Sequence, residues 1–208
     1  MTRPVTQERP STTREAIFTA ATRLFGEHGY TGTTMRDIAR AVGILPGSLY
    51  AHIESKETLL VEIIEGGVDR FNAAVDEIES RELTPEAALR EAIRRHLAIV
   101  ADNPERTLIV FHQWRFLGDA HRHRLLAKRR HYEEFFVRTM HAGAESGAFN
   151  PGLDPKVTVL GMLGALNWTP EWFSPAGPAT SDEIAERLAD GMLRGVLRVD
   201  DGRSPCHA

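Results

Sequence analysis

Lysine is scarce in this 208-residue chain, occurring only at Lys56, Lys128 and Lys156, and cysteine is reduced to Cys206. A lone thiol excludes an internal disulfide and a thiolate metal cage, and it suits a reducing cytoplasm. No stretch reaches the ~18 apolar residues of a membrane-crossing helix, so no membrane partner is expected. The start, Met1 to Pro10, holds Arg3, Glu8 and two prolines but no apolar run of the kind a secretory leader carries. We read residues 1–10 as a flexible arm and 199–208 as a flexible tail. Positive charge is also short, with 25 Lys plus Arg against 29 Asp plus Glu and a net −4, which excludes a histone-like, generally basic protein. The Gly-rich phosphate loop, the nucleophile elbow and the metalloprotease pattern are all missing. His121 and His123 stand two apart and would not share a helix face. No catalytic residue, metal or cofactor is therefore expected, and the chain is not read as an enzyme.

What is present is helical periodicity, with 42% apolar residues, enough for a real core, and no sustained strict alternation. The fold class expected is all-α, about nine helices. Ser11 to Thr13 supply caps for a first helix whose Ile17, Ala20, Ala21, Leu24 and Phe25 form one stripe, with Gly29 placed to stop it. Thr34 and Asp37 form a capping-box-like pair opening a second helix, which Gly43 ends. Pro46 suits the first turn of a third, over roughly 46–52. Ser55 and Glu57 start a fourth helix running to about Ser80. Further helices are expected over 85–103, 105–117, from Asp119 through Met140, over 156–167 and over 182–198. A loop at 147–155 and a connector at 169–179 separate the last of these.

Two short helices joined at Gly43 have the dimensions of a helix-turn-helix. Ile38, Ala39, Val42, Ile44 and Leu49 would hold the pair together. Arg36, Gly47, Ser48, Tyr50 and His52 are left for the outer face, where Gly47 lets the backbone approach DNA and hydroxyls meet phosphate. Charge agrees once it is divided. Residues 1–50 hold Arg3, Arg9, Arg14, Arg23, Arg36 and Arg40 against Glu8, Glu15, Glu27 and Asp37, a +2 head that leaves −6 for the remainder.

Over residues 12–60 the blocks Phe25 to Gly43, Gly47 to Tyr50 and Ser55 to Glu57 resemble the TetR family of bacterial transcriptional regulators. The resemblance implies that Thr34 and Arg36 touch the DNA backbone or a base edge. It also implies that Pro46, Gly47 and Ser48 face the major groove, and that Tyr50, His52 and Lys56 lie near phosphates. Leu45 stands where the family commonly has a capping Ser, Ala51 where it often has His or Tyr, and Ile53 where it has Phe. The domains expected are a DNA-binding head over 11–58 and a ligand-binding, dimerisation body over 59–198.

The body holds Phe111, Trp114, Tyr132, Phe136, Trp168 and Trp172 among its aromatics. Most read as core. Trp114 beside Arg115 and Trp168 beside Asn167 pair an apolar ring with a polar group that could fix one end of a small-molecule ligand. The run Asp119–His131, which includes Arg129 and Arg130, carries +4. It is either a solvated face or a site for a phosphorylated or carboxylated ligand. Within the family, the stretches 147–155 and 167–178 look like regulators of fatty-acid, steroid or related lipid catabolism, which are commonly released from DNA by acyl-CoA thioesters.

Val157, Leu160, Leu163 and Leu166 form one stripe, and Ile184, Leu188, Met192 and Val196 another. Gly161, Gly164, Gly191 and Gly195 lie among them. Glycine costs up to ~1 kcal/mol in a helix, so four of them suggest close helix approach. The family pairs these helices with their symmetry mates. The expected reading is a homodimeric repressor released from a palindromic operator by a small molecule. A multidrug or aromatic-ligand sensor, or a binding protein without DNA readout, stand as alternatives.

Overall fold

The computed structural model describes residues 13–198, so the expected arm, the tail and the capping residues Ser11 and Thr12 lie outside the described residues. Helices are the regular elements among the described residues, apart from an isolated extended bridge between Phe149 and Leu197. Two compact units form. One takes residues up to Gly67 together with Glu105–His123, and the other takes Val68–Pro104 with the chain from Arg124 onward.

In the first unit, α1 (Thr13–Gly32) buries Ile17, Ala21, Leu24 and Phe25, and its helical path is broken at Gly29, whose φ of 74° suits glycine. α2 (Met35–Val42) opens on a reciprocal cap. The Asp37 N–H donates to the Thr34 hydroxyl at 3.2 Å, and the Thr34 N–H donates to the Asp37 carboxylate at 3.0 Å. Those bonds to Thr34 hold the Asp37 carboxyl below its usual range. Gly43, left-handed at φ 80°, closes the helix.

α3 is shorter than expected, a single turn over Pro46–Leu49. Beyond it the N–H groups of Ala51 and His52 bond three residues back, a tighter pattern that turns the chain so that Ile53 is buried. α4 (Lys56–Glu79) follows, with the Ser55 hydroxyl accepting from the Thr58 N–H at 3.1 Å.

α5 (Pro85–Asp102) starts on a Thr84 cap, whose hydroxyl accepts from the Ala87 N–H. The single helix expected over 105–117 is two pieces, α6 (Pro104–His112) and a tight turn over Trp114–Phe116. The break falls at Gln113, whose amide donates to the Phe25 carbonyl at 2.8 Å. The turn places Phe116 against Tyr30, ring centroids 5.6 Å apart, and the Gly118 N–H on the Glu57 carboxylate at 2.9 Å.

The second unit is built from the C-terminal half of α4, α5, most of α7 (Asp119–Glu145), α8 (Pro155–Asn167), α10 (Ser181–Val196), and a one-turn α9 (Thr169–Trp172) inside the expected connector. α5 lies along α10, where Arg90 pairs with Glu186 and Asp190, each at 2.8 Å. Ile93, Leu97, Phe136, Phe149, Leu166 and Leu193 meet in one core. No described helix is long and apolar enough to cross a membrane.

Candidate nucleic-acid interface

Ile38, Ala39 and Leu49 are buried and hold α2 to α3, while Val42 and Ile44 are half-buried. Leu45, Pro46, Gly47, Ser48, Tyr50 and His52 are all exposed, as are Thr34 and Arg36. A Cβ built on Gly47 would meet nothing within 4 Å, so the fold of the chain itself makes no demand for glycine there. The Thr34 hydroxyl also bonds the Asp37 carboxylate, so the side chain works first as a cap. Arg40 pairs with Asp37 at 3.1 Å.

Lys56 does something the residue pattern did not show. Its ammonium donates to the Tyr30 and Thr33 carbonyls, each at 2.8 Å, and stands 4.2 Å from the Tyr30 ring centroid. Burial lowers its pKa. Thr33, itself buried, donates its hydroxyl to the Leu24 and Gly29 carbonyls. Lys56 therefore ties the first turn of α4 to the α1–α2 corner, and so sets the position of α2. Any phosphate contact it makes comes in addition to that bond pair.

The expected ligand residues fall in both units. Phe111, Trp114 and Arg115 belong to the first unit, and Arg115 is exposed, donating to the His112 carbonyl at 2.9 Å. Trp168 and Trp172, 58% and 50% exposed, stand at the surface of the second unit. Asn167, between the buried Leu166 and the exposed Trp168, is half-buried.

The basic run disperses as well. Lys128 pairs with Asp69 at 2.8 Å, His131 with Asp76 at 2.6 Å, and Arg122 donates to the Arg115 and Leu117 carbonyls. Arg130 is exposed, whereas burial lowers the pKa of Arg129. Glu133, just after the run, meets Lys156 at 3.6 Å.

Tyr132 and Phe136 do meet, in a chain of rings. Phe71 lies 4.8 Å from His96 and 5.6 Å from Tyr132, and Tyr132 lies 5.2 Å from Phe136. His96 Nδ1 and the Tyr132 hydroxyl are 3.0 Å apart. Burial drives the His96 pKa down to about 3, against the opposing pull of a bond to the Leu166 backbone, and raises that of the Tyr132 phenol. Both groups are thus neutral at pH 7, a polar pair inside an aromatic wall. His96 went unnoticed in the sequence, although a histidine inside the apolar stripe Leu89, Ala92, Ile93, Leu97 was the available signal.

A third feature is apolar and open. The stripe expected along α8 divides, with Leu163 and Leu166 buried in the core and Val157 and Leu160 exposed, 67% and 52%. Outside the helix's own backbone, none of the described residues lies within 4 Å of a Cβ built on Gly161, Gly164, Gly191 or Gly195. Packing among the described residues does not require these glycines.

A family description headed "Bacterial regulatory proteins, tetR family" matches residues 17–63, and one headed "Tetracyclin repressor-like, C-terminal domain" matches residues 82–196, more than half of the chain. The chain belongs to the TetR family. A TetR-family relative from Mycobacterium tuberculosis, the HTH-type transcriptional repressor KstR2, is 30% identical over 193 residues, covering 89% of this chain and 93% of its own. The solved structure of the ketosteroid transcriptional regulator KstR2 of Mycobacterium tuberculosis shares the fold at a TM-score of 0.85, with 23% identity over 92% of this chain and 98% of that one. The structure of AibR in complex with isovaleryl coenzyme A and operator DNA matches at a TM-score of 0.77 and 29% identity, over 89% of this chain and 98% of that one.

Proposed function

We propose that two copies of this TetR-family chain, joined through α8 and α10, hold two α2–α3 heads on a palindromic operator and repress transcription until an acyl-CoA thioester releases them. The observation that carries the DNA-binding part is Gly47. It sits in an exposed one-turn helix with empty space where a side chain would be, so its benefit lies in close approach by something outside the chain. Pro46, Ser48 and Arg36 face the groove, Thr34 caps the helix that carries Arg36, and Tyr50, His52 and Lys56 meet phosphates. This work is done on DNA in the cytoplasm.

The coenzyme A complex of AibR supports the effector class. In the body, the neutral His96–Tyr132 pair, Phe136 and the half-buried Arg129 are the groups placed to discriminate among effectors. An effector shifts the heads only by binding the two arrangements of the dimer with different affinity.

The test is a gel shift at fixed salt, on a duplex selected by the full-length protein from a randomised pool. Gly47→Ala is expected to raise thermal stability slightly, since alanine is worth up to ~1 kcal/mol over glycine in an exposed helix. The same change is expected to weaken binding by about tenfold or more through lost contact and crowding at the groove. Added isovaleryl coenzyme A should release the wild-type complex. Unchanged binding by Gly47→Ala would count against the DNA face. Operator affinity unmoved by saturating short- and long-chain acyl-CoA esters would count against the effector class.

A further inference from the structure

Between Arg40 and Glu54 the chain has no Asn, Gln, Asp, Glu, Lys or Arg. The side chains that read base edges by paired hydrogen bonds are therefore missing from the whole α2–α3 turn and from α3 itself. What the turn presents to solvent instead begins with Leu45 and Pro46. Leu45 is 75% exposed, more than any other large apolar residue among those described. It occupies the N-cap of α3, where Ser, Thr, Asp or Asn would bond the open N–H groups, and its side chain makes no such bond. The position thus gives up a cap and keeps an isobutyl group in water, next to a glycine that crowds nothing.

The one apolar feature a base pair offers in the major groove is the C5 methyl of thymine. We propose that Leu45 is a specificity-determining residue, seated on a thymine methyl in each half-site, with Pro46 closing the same small apolar surface. This rests on the DNA-binding reading above. It adds that the recognition turn reads methyl groups, leaving hydrogen-bonded readout to Arg36 and the hydroxyl of Ser48.

The selected duplex is the probe, with each thymine replaced in turn by deoxyuridine, which removes the methyl and leaves base pairing intact. Full-length wild type, Leu45→Ala and Leu45→Ser are compared, the last restoring a capping side chain. One thymine per half-site is expected at which the wild type loses about fourfold in affinity, the worth of one buried methyl group, and at which neither variant loses anything. Because each figure is a ratio between two duplexes for the same protein, any difference in folded fraction between variants cancels. Half-sites without thymine, or deoxyuridine penalties shared equally by wild type and both variants, overturn the proposal while the DNA-binding reading stands. A wild type that selects no duplex overturns both.

Discussion

Leu160→Arg is expected to leave the chain folded, to turn a dimer into a monomer at micromolar concentration, and to weaken operator binding by about two orders of magnitude or more. Leu160 is largely exposed, so within its own chain the change disturbs little. In a two-fold interface the same patch faces itself, and an arginine introduced once appears twice. Each guanidinium would then lose water without gaining a partner, at about 3–5 kcal/mol for an unpaired buried charge. The neighbouring Val157 is exposed too, and the four open glycines of α8 and α10 leave room for a second copy's helices to approach closely. Losing the dimer separates the two heads, so each must find its half-site alone. Sedimentation velocity reads the first consequence and a gel shift the second. A variant that still sediments as a dimer would place the interface elsewhere.

Gly143→Ala is expected to cost about 3 kcal/mol and to lower the melting temperature by about 6–12 °C, even though alanine is the better helix former. A Cβ there would stand 2.0 Å from Cδ2 of Phe149 and 2.4 Å from Cε2. Phe149 has no free direction to retreat, because it is wholly buried and its backbone is held on both sides. Its N–H donates to the Gly143 carbonyl at 2.9 Å, the Asn150 N–H to the Val196 carbonyl at 2.8 Å, and the Arg198 N–H to the Ala148 carbonyl at 3.1 Å. These bonds fasten the loop after α7 to the end of α10. A second change, Phe149→Leu, should restore part of the loss by vacating the ring's volume. Thermal melts of the single and double variants check both statements. A Gly143→Ala chain as stable as wild type would show that the loop is not held there.

The pieces legible in advance were those written in local chemistry. The Thr34–Asp37 box and the left-handed Gly43 act within one turn, so neighbouring residues suffice to announce them. The less legible pieces depend on partners distant in the chain. Nothing near Gln113 says that its amide will meet Phe25 and split a helix, and nothing near Lys56 says that its ammonium will hold two carbonyls at the α1–α2 corner. The apolar stripe of α8 announced a buried face but not how much of it this chain buries, because Val157 and Leu160 obey the same spacing as Leu163 and Leu166. Aromatic composition likewise does not separate rings such as Phe71 and Tyr132, which meet, from Trp168 and Trp172, which are exposed.

The segment Glu105–His123 shares a compact unit with the helix-turn-helix, although more than forty residues of chain separate it from Lys56. Gln113, Phe116 and Gly118 supply it with a hydrogen bond, a stacked ring and a carboxylate anchor. For protein engineering, a fusion that grafts this reader onto another regulator's sensor by splicing after residue 58 would leave those three fittings behind. A portable reader is therefore a discontinuous cassette, with the piece around Trp114–Phe116 transplanted alongside the first helices.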